Sequence, residues 1–348
     1  MGESQGDRLR LRADVRIGIV ITARMDSERL PGKVLAEIAG KPLLGHLVER
    51  YARVGKVVVA TSDDPSDDPI ATWAERHLVP CFRGSKEDVT DRIWGAIKAW
   101  LSDCDFVMRG LGDCPFPETM FITRAAFVMD AMDADMFLWM LPPWVWPVYG
   151  AREFPIRTSL WEAMNQLATG DEREHPDLYL HRHRKDIKIA YHEPPPPDYF
   201  RPHRLEIDYP EDLEMLRRLV KEFDGRWPTL IEALDVLDAN PKIALINANR
   251  EERTGPYASY SQEDRDKWAQ AQRGKPVVTW DNRIWRPKKN EKPIFCSVGT
   301  CLIGYYHGGW LRTKEGHAIK EGRLACPCGA GRFWRAKAID LREGSRPV

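Results

Sequence analysis

The chain has 348 residues, 43% of them apolar, and its 52 basic and 52 acidic residues cancel at neutral pH. That length exceeds an ordinary single domain and predicts two, while no run approaches the ~18 apolar residues that a membrane helix needs. The most apolar stretch, 136–149, is broken by Pro142, Pro143 and Pro147, and the polar start M-G-E-S-Q-G-D does not read as a signal peptide. A cytoplasmic, reducing location with no membrane partner is therefore expected, with the cysteines as thiols or metal ligands rather than disulfides.

The run Ile17-Gly18-Ile19-Val20-Ile21 predicts a buried first strand of a parallel α/β sheet. Behind it comes A-R-M-D-S-E-R-L-P-G-K, Ala23 to Lys33. Ligands of open α/β sheets bind at the carboxyl ends of strands. Here Arg24, Arg29 and Lys33 are interspersed with Ser27, a rigid Pro31 and a flexible Gly32. Arginines grip phosphate oxygens bidentately and a lysine adds a point charge, so the loop suits a polyphosphate. A solvated basic loop is the plainer alternative.

Apolar spacing predicts a helix over 42–53, a strand over 56–60, a helix over 68–76, a short strand over 79–82 and an amphipathic helix over 86–101. A strand over 106–108 runs into a turn at Gly112-Asp113. Strands alternating with helices predict a mostly parallel, three-layer sheet. From 134 to 203 the pattern is less regular, with a Trp-Pro stretch, a helix over 158–167 and a basic run at 181–185. Four prolines at 194–197 predict an extended connector. The segment 205–207 is expected to return to the sheet, and a helix follows over 209–220, with Pro210 in its first turn.

These blocks resemble the cytidylyltransferases that activate sugar acids, the acylneuraminate and CMP-Kdo synthetase group, and within it the spore-coat polysaccharide branch. The resemblance rests on the Ala23–Lys33 loop followed by Gly40-Lys41-Pro42-Leu43-Leu44. It continues with Ala60-Thr61-Ser62 and Asp68-Pro69-Ile70, then Arg83-Gly84-Ser85 with Asp88-Val89. Arg109 with Gly112-Asp113-Cys114-Pro115, Arg173-Glu174-His175 and the run Ile207 to Leu213 complete it. It spans roughly 16–249 and implies a nucleotide-diphospho-sugar transferase fold.

The resemblance also implies a reaction in which an acceptor hydroxyl attacks the α-phosphorus of CTP and pyrophosphate leaves. Arg24 and Lys33 would hold the β- and γ-phosphates, with Arg29 assisting or bracing the loop. Ala23 would read the edge of the base, with Thr61, Ser62 and Arg83 close by, and Arg109 would contact the nucleotide; ordinary salt bridges are the alternative for both arginines. Asp113 and Asp208 are the expected magnesium pair, each ending a strand of one sheet. Taken alone, Asp208 reads equally as a helix cap, and Asp212 as a first-turn helix charge. Arg173, His175 and Glu153 are candidates for an acidic acceptor, although the block continues His175-Pro176-Asp177 where the family has Val-Thr-Pro after the His.

Charge is unevenly spread. From Pro256 onward there are 18 basic and 9 acidic residues, against 34 and 43 before it, and five of the thirteen tryptophans. Cys296 and Cys301, a gap of 24 residues, then Cys326 and Cys328 resemble the two knuckles of a zinc ribbon, with His307 or His317 as substitute ligands. The organisation read from this is a nucleotidyltransferase domain over 1–250, a linker over 251–262, and a basic, Trp-rich zinc-binding module over 263–348. A homodimer is expected, and the module permits nucleic-acid or other polyanion contact. Two rival functions are a glycosyltransferase of the same fold, which Asp113-Cys114-Pro115 in place of Asp-x-Asp disfavours, and a nucleotide-binding protein with a polyanion- or protein-binding tail.

Overall fold

The computed structural model describes residues 14–140, 147–148, 154–250 and 275–279, with Leu9, Asn282, Ile284–Trp285 and the backbone of six short strands between 292 and 335. Glu153, His317 and all four cysteines of the expected zinc site lie outside the described residues.

The chain begins with β1 (Ile17–Thr22), then a hairpin of β2 (Glu37–Ile38) and β3 (Lys41–Pro42), α1 (Leu43–Tyr51) and β4 (Lys56–Ser62). It continues with α2 (Asp68–Arg76), β5 (Cys81–Gly84), α3 (Val89–Ala96), which widens into a π-helical turn at Ile97–Leu101, and β6 (Phe106–Leu111). After α4 (Thr119–Ala131) come β7 (Met136–Trp139), β8 (Ile156–Arg157), α5 (Thr158–Leu167), α6 (Asp171–Glu174), α7 (Pro176–Arg182) and β9 (Ile189–His192). Helices α8 (Pro210–Lys221), α9 (Leu230–Ala239) and α10 (Pro241–Ala244) follow.

The main sheet has the order β5-β4-β1-β6-β8, parallel except for β8. Strand β1 lies at its centre, which is why it reads as an unbroken apolar run: a parallel strand is covered on both faces. Its side chains alternate between two cores. Ile17, Ile19 and Ile21 pack with residues of α1, α4, α8 and α9, whereas Val20 packs with Val58, Val107 and residues of α3 and α5. The three layers expected from the sequence are therefore present.

Several boundaries differ from the sequence reading, for local reasons. The helix expected from residue 86 begins at Val89, because the Asp88 carboxylate accepts the Asp91 N–H at 2.8 Å and caps it. Pairing of β5 begins only at Cys81, after Leu78 at φ +56° and Pro80, which has no N–H to donate. The segment 205–207 does not join the sheet; it runs alongside it through one bond, from Ile207 N–H to the Asp113 carbonyl at 2.9 Å.

A second sheet has the order β11-β10-β9-β7, where β10 is Val277–Val278 and β11 is Ile284–Trp285. Chain from beyond the expected linker thus extends a sheet begun by residues 136–139 and 189–192. Arg124 fastens it, donating to the Thr279 carbonyl at 2.8 Å and to the Asn282 side chain. Farther on, Lys292–Phe295, Leu302–His307, Trp310–Thr313 and Ala318–Ile319 form an antiparallel sheet of four strands, and Arg323–Leu324 pairs with Trp334–Arg335.

Candidate active site

The loop after β1 is folded back by Gly32, at φ +72°, whose N–H donates to the Met25 carbonyl at 2.8 Å. A left-handed residue here is cheap only for glycine. The turn that follows, Lys33–Leu35, carries Lys33 inward until it is 8% exposed. Gly112 lets the end of β6 come close: a Cβ there would stand 2.9 Å from the Thr22 carbonyl. Asp113 is next in the chain, and the bond from Ile207 sets Asp208 beside it.

Three acidic side chains converge. Carboxylate oxygens of Asp113, Glu206 and Asp208 all lie within 4.8 Å of one another. The Lys33 ammonium sits between two of them, donating to Asp113 Oδ2 at 2.7 Å and Asp208 Oδ1 at 3.0 Å. Arg29 reaches the same Asp208 oxygen at 2.7 Å, with its guanidinium over the Tyr209 ring at 4.8 Å. Arg204 donates to the other Asp208 oxygen at 2.9 Å.

The electrostatics follow from these contacts. Burial opposes the Asp208 carboxylate, but Lys33, Arg29 and Arg204 outweigh it and hold its pKa below the usual range. Burial likewise opposes the Lys33 charge, and Asp113 and Asp208 reverse the effect, so its pKa is raised. Glu206 is paired only loosely, with Arg204 at 3.9 Å. Burial, and then the charges of Asp113 and Asp208, push its pKa up to about 7.

The capping alternative for Asp208 is not what the fold uses. Helix α8 starts from Tyr209, and Asp212 closes its N-terminus: its Oδ2 accepts the N–H groups of Asp208 and Tyr209 at 2.9 and 2.8 Å. Asp212 is also fully buried and pairs with Arg204 at 2.9 Å and Asn247 at 2.9 Å, so it is far more than a first-turn charge. The Arg204–Asp212 pair holds the backbone that presents Asp208.

The other expected residues have varied engagements, those on β1, β4, β5 and β6 lying at or near the carboxyl ends of these strands and Arg173 and His175 lying at α6. Ala23 is buried, its N–H bonded to the Ala60 carbonyl at 3.2 Å, in the crevice between β1 and β4. Arg24 is half exposed and only loosely paired with Asp26, at 3.6 Å. Ser27 is partly buried. Thr61 and Ser62 are fully buried. The Ser62 hydroxyl and N–H both donate to Asp67, whose other oxygen accepts the Met25 N–H at 2.7 Å and so ties the basic loop to β4.

Arg83 binds the Ser62 and Asp64 carbonyls at 3.0 Å each and pairs with Asp68 at 2.7 Å, a structural set of contacts. Arg109 leans on the Thr22 hydroxyl at 3.4 Å and on Asp177 at 3.5 Å. Arg173 is engaged by Asp88 at 2.7 Å and by Asn165, where it braces the cap of α3. His175 is half exposed, its ring 4.0 Å from Glu174.

Sequence reasoning missed Glu206, Arg204 and Arg92. Glu206 was within reach of a simple rule: on an extended chain residues two apart share a side, so Glu206 and Asp208 face one way while Ile207 enters the core. Arg92 is 2% exposed and donates to the Ser85 and Lys86 carbonyls. Burial, and then the nearby charges of Arg24 and Arg109, depress its pKa to about 10.

A family model described as cytidylyltransferase matches residues 18–243. The chain is 30% identical over 237 residues to the spore coat polysaccharide biosynthesis protein SpsF of Bacillus subtilis, covering 65% of this chain and 95% of that protein. An uncharacterized protein of Methanocaldococcus jannaschii is 29% identical over 235 residues, 66% of this chain and 93% of its own length. A shorter match, 37% over 114 residues, joins 32% of this chain to 43% of the 3-deoxy-manno-octulosonate cytidylyltransferase of Geobacter metallireducens. Among solved structures, a cytidylyltransferase from Leptospira borgpetersenii superposes with a TM-score of 0.59 at 26% identity, over 68% of this chain and 99% of that one.

Proposed function

The chain belongs to the cytidylyltransferase family, and we propose that it transfers CMP from CTP to a hydroxyl of a sugar acid or related acidic acceptor, with magnesium bound and pyrophosphate released. One observation carries the finer part of this reading: the convergence of Asp113, Glu206 and Asp208 with Lys33 and Arg29 at the carboxyl ends of the parallel strands. The acceptor class is drawn from relatives such as the 3-deoxy-manno-octulosonate cytidylyltransferase.

The donor set fits a hard divalent cation. It offers only oxygens, and magnesium usually takes one or two protein carboxylates with water and phosphate oxygens. Asp113 and Asp208 would hold the ion, with Glu206 as an additional oxygen donor. Bound there, magnesium supplies positive charge beside the reacting phosphate and makes a coordinated hydroxyl more acidic.

The chain's own residues do the rest. Arg24, half exposed and loosely paired, is available to the β- and γ-phosphates, and Lys33 joins it there once released from the carboxylates. Arg29, held by Asp208 and Tyr209, braces the loop. Ala23 and the backbone of β1 meet the base, and Arg109 lies beside them on β6. The main catalytic work is to position the groups and stabilise charge growing on the phosphoryl oxygens.

The test is pyrophosphate release and thermal stabilisation with each nucleoside triphosphate and magnesium. CTP should stabilise the protein more than ATP, GTP or UTP, since a bound ligand raises the melting point by mass action. Asp113→Asn should abolish turnover and leave the fold intact. Equal shifts with all four nucleotides, or an Asp113→Asn variant as fast as the parent, would refute the reading. We further propose that Cys296, Cys301, Cys326 and Cys328 hold one structural zinc, since four thiolates satisfy its tetrahedral coordination. Metal analysis of the reduced protein, purified without chelator, decides it.

A further inference from the structure

We propose that Lys33 is an internal counter-cation that closes the carboxylate cluster to a metal ion until a triphosphate draws it away, so that metal and nucleotide enter together. The inference rests on the reading of Asp113 and Asp208 as the metal-holding pair.

Lys33 Nζ contacts one oxygen of each aspartate, at 2.7 and 3.0 Å. Asp208 has both of its oxygens engaged by cations: Oδ1 by Lys33 and Arg29, Oδ2 by Arg204. A divalent ion taking these oxygens would share them with the ammonium, at contact distance and in a site where Lys33 is 8% exposed. Like charges so close and so poorly hydrated repel strongly. Metal entry between the two aspartates therefore requires Lys33 to leave.

The stem of Lys33 is a flexible four-carbon chain rooted directly after Gly32, in the loop that carries Arg24. A triphosphate bound by that loop presents a competing anion within the same segment. Transfer of Lys33 from carboxylate to phosphate would remove the cation that bridges Asp113 and Asp208 as the nucleotide arrives. Arg29 and Arg204 would stay behind to keep Asp208 ionised and aimed. On this view Lys33 acts first on the order of binding, and only then on the phosphates.

The test is manganese binding to the full-length protein without nucleotide, read from the EPR signal of the free ion. Lys33→Met should bind manganese more tightly than the parent by at least roughly tenfold, the factor that 1.4 kcal/mol represents. Lys33→Gln, which keeps a polar head against the carboxylates, is measured beside it in case the methionine variant folds poorly. Adding Asp113→Asn to either variant should remove the gain.

If both lysine variants bind manganese no better than the parent, while Asp113→Asn weakens binding, the counter-cation role is overturned and the metal site stands. If Asp113→Asn changes manganese binding in no background, the carboxylates hold no metal and both readings fall. A purely structural lysine would lower stability on substitution without raising metal affinity.

Discussion

Substituting Asp212 tests whether a buried charge network or the helix cap alone presents Asp208. The side chain is fully buried and accepts from the N–H groups of Asp208 and Tyr209, from Asn247 Nδ2 and from the Arg204 guanidinium. Asp212→Asn retains a carbonyl oxygen for the two backbone amides but removes the charge opposite Arg204. Breaking a buried pair from one side costs about 3–5 kcal/mol, because the remaining charge is left uncompensated. Arg204 keeps Asp208 as a partner at 2.9 Å, which places Asp212→Asn at the lower end, ~3 kcal/mol. Asp212→Ala also strips the cap and belongs at the upper end, ~5 kcal/mol. At ~2–4 °C per kcal/mol for a chain segment of this size, the asparagine variant should melt roughly 6–12 °C below the parent. Reversible urea unfolding, with the free energy extrapolated to water, is the assay. An Asp212→Asn unfolding free energy within ~0.5 kcal/mol of the parent's, the range of ordinary surface substitutions, would refute the network.

His192 should make the protein acid-sensitive. Its Nε2 accepts from Arg124 at 3.0 Å and its Nδ1–H donates to the Glu193 carbonyl at 2.8 Å, an arrangement that needs the neutral ring. Burial, aided by the Arg124 charge, depresses its pKa to about 3, against 6.5 unperturbed. Between those values the unfolded chain binds a proton that the folded chain does not. The contribution is thus complete above pH 6.5 and falls as pH drops, by ~1 kcal/mol per unit. Urea midpoints from pH 7.5 to 5 should show that slope, and a His192→Asn variant with an unchanged slope would exclude this residue as its source. Arg173→Ala should cost about 1 kcal/mol of stability, through the brace on Asp88, and leave CTP affinity unchanged. A raised KM for the acceptor with unchanged stability would instead support the acceptor role expected from the sequence.

Local pattern was enough to read much of this protein. Helices α2 and α5 begin and end where apolar spacing places them, and β1 is the buried central strand that its composition announces. The basic loop, Asp113 and Asp208 were legible because their residue types recur in a known order behind strands. What the residues do to one another was not legible. Lys33 lies 80 positions from Asp113 and 175 from Asp208, yet meets both within 3.0 Å. Nothing in a linear reading says whether an ammonium faces phosphate, solvent or carboxylate.

The same holds for Arg173, drawn to Asp88 across 85 positions, and for Asp212, whose burial depends on Arg204 and Asn247 arriving from either side. Periodicity reports which face of an element turns inward, because burial repeats along the chain. Charge pairing is decided by a few ångströms between atoms distant in sequence, because Coulomb energy and desolvation change steeply over that range. The chain's own order of residues therefore determined the sheet, the loop and the two aspartates. Only the packing of 204–212 against the turn after β6 determined that a third carboxylate joins them and that a lysine holds two of the three.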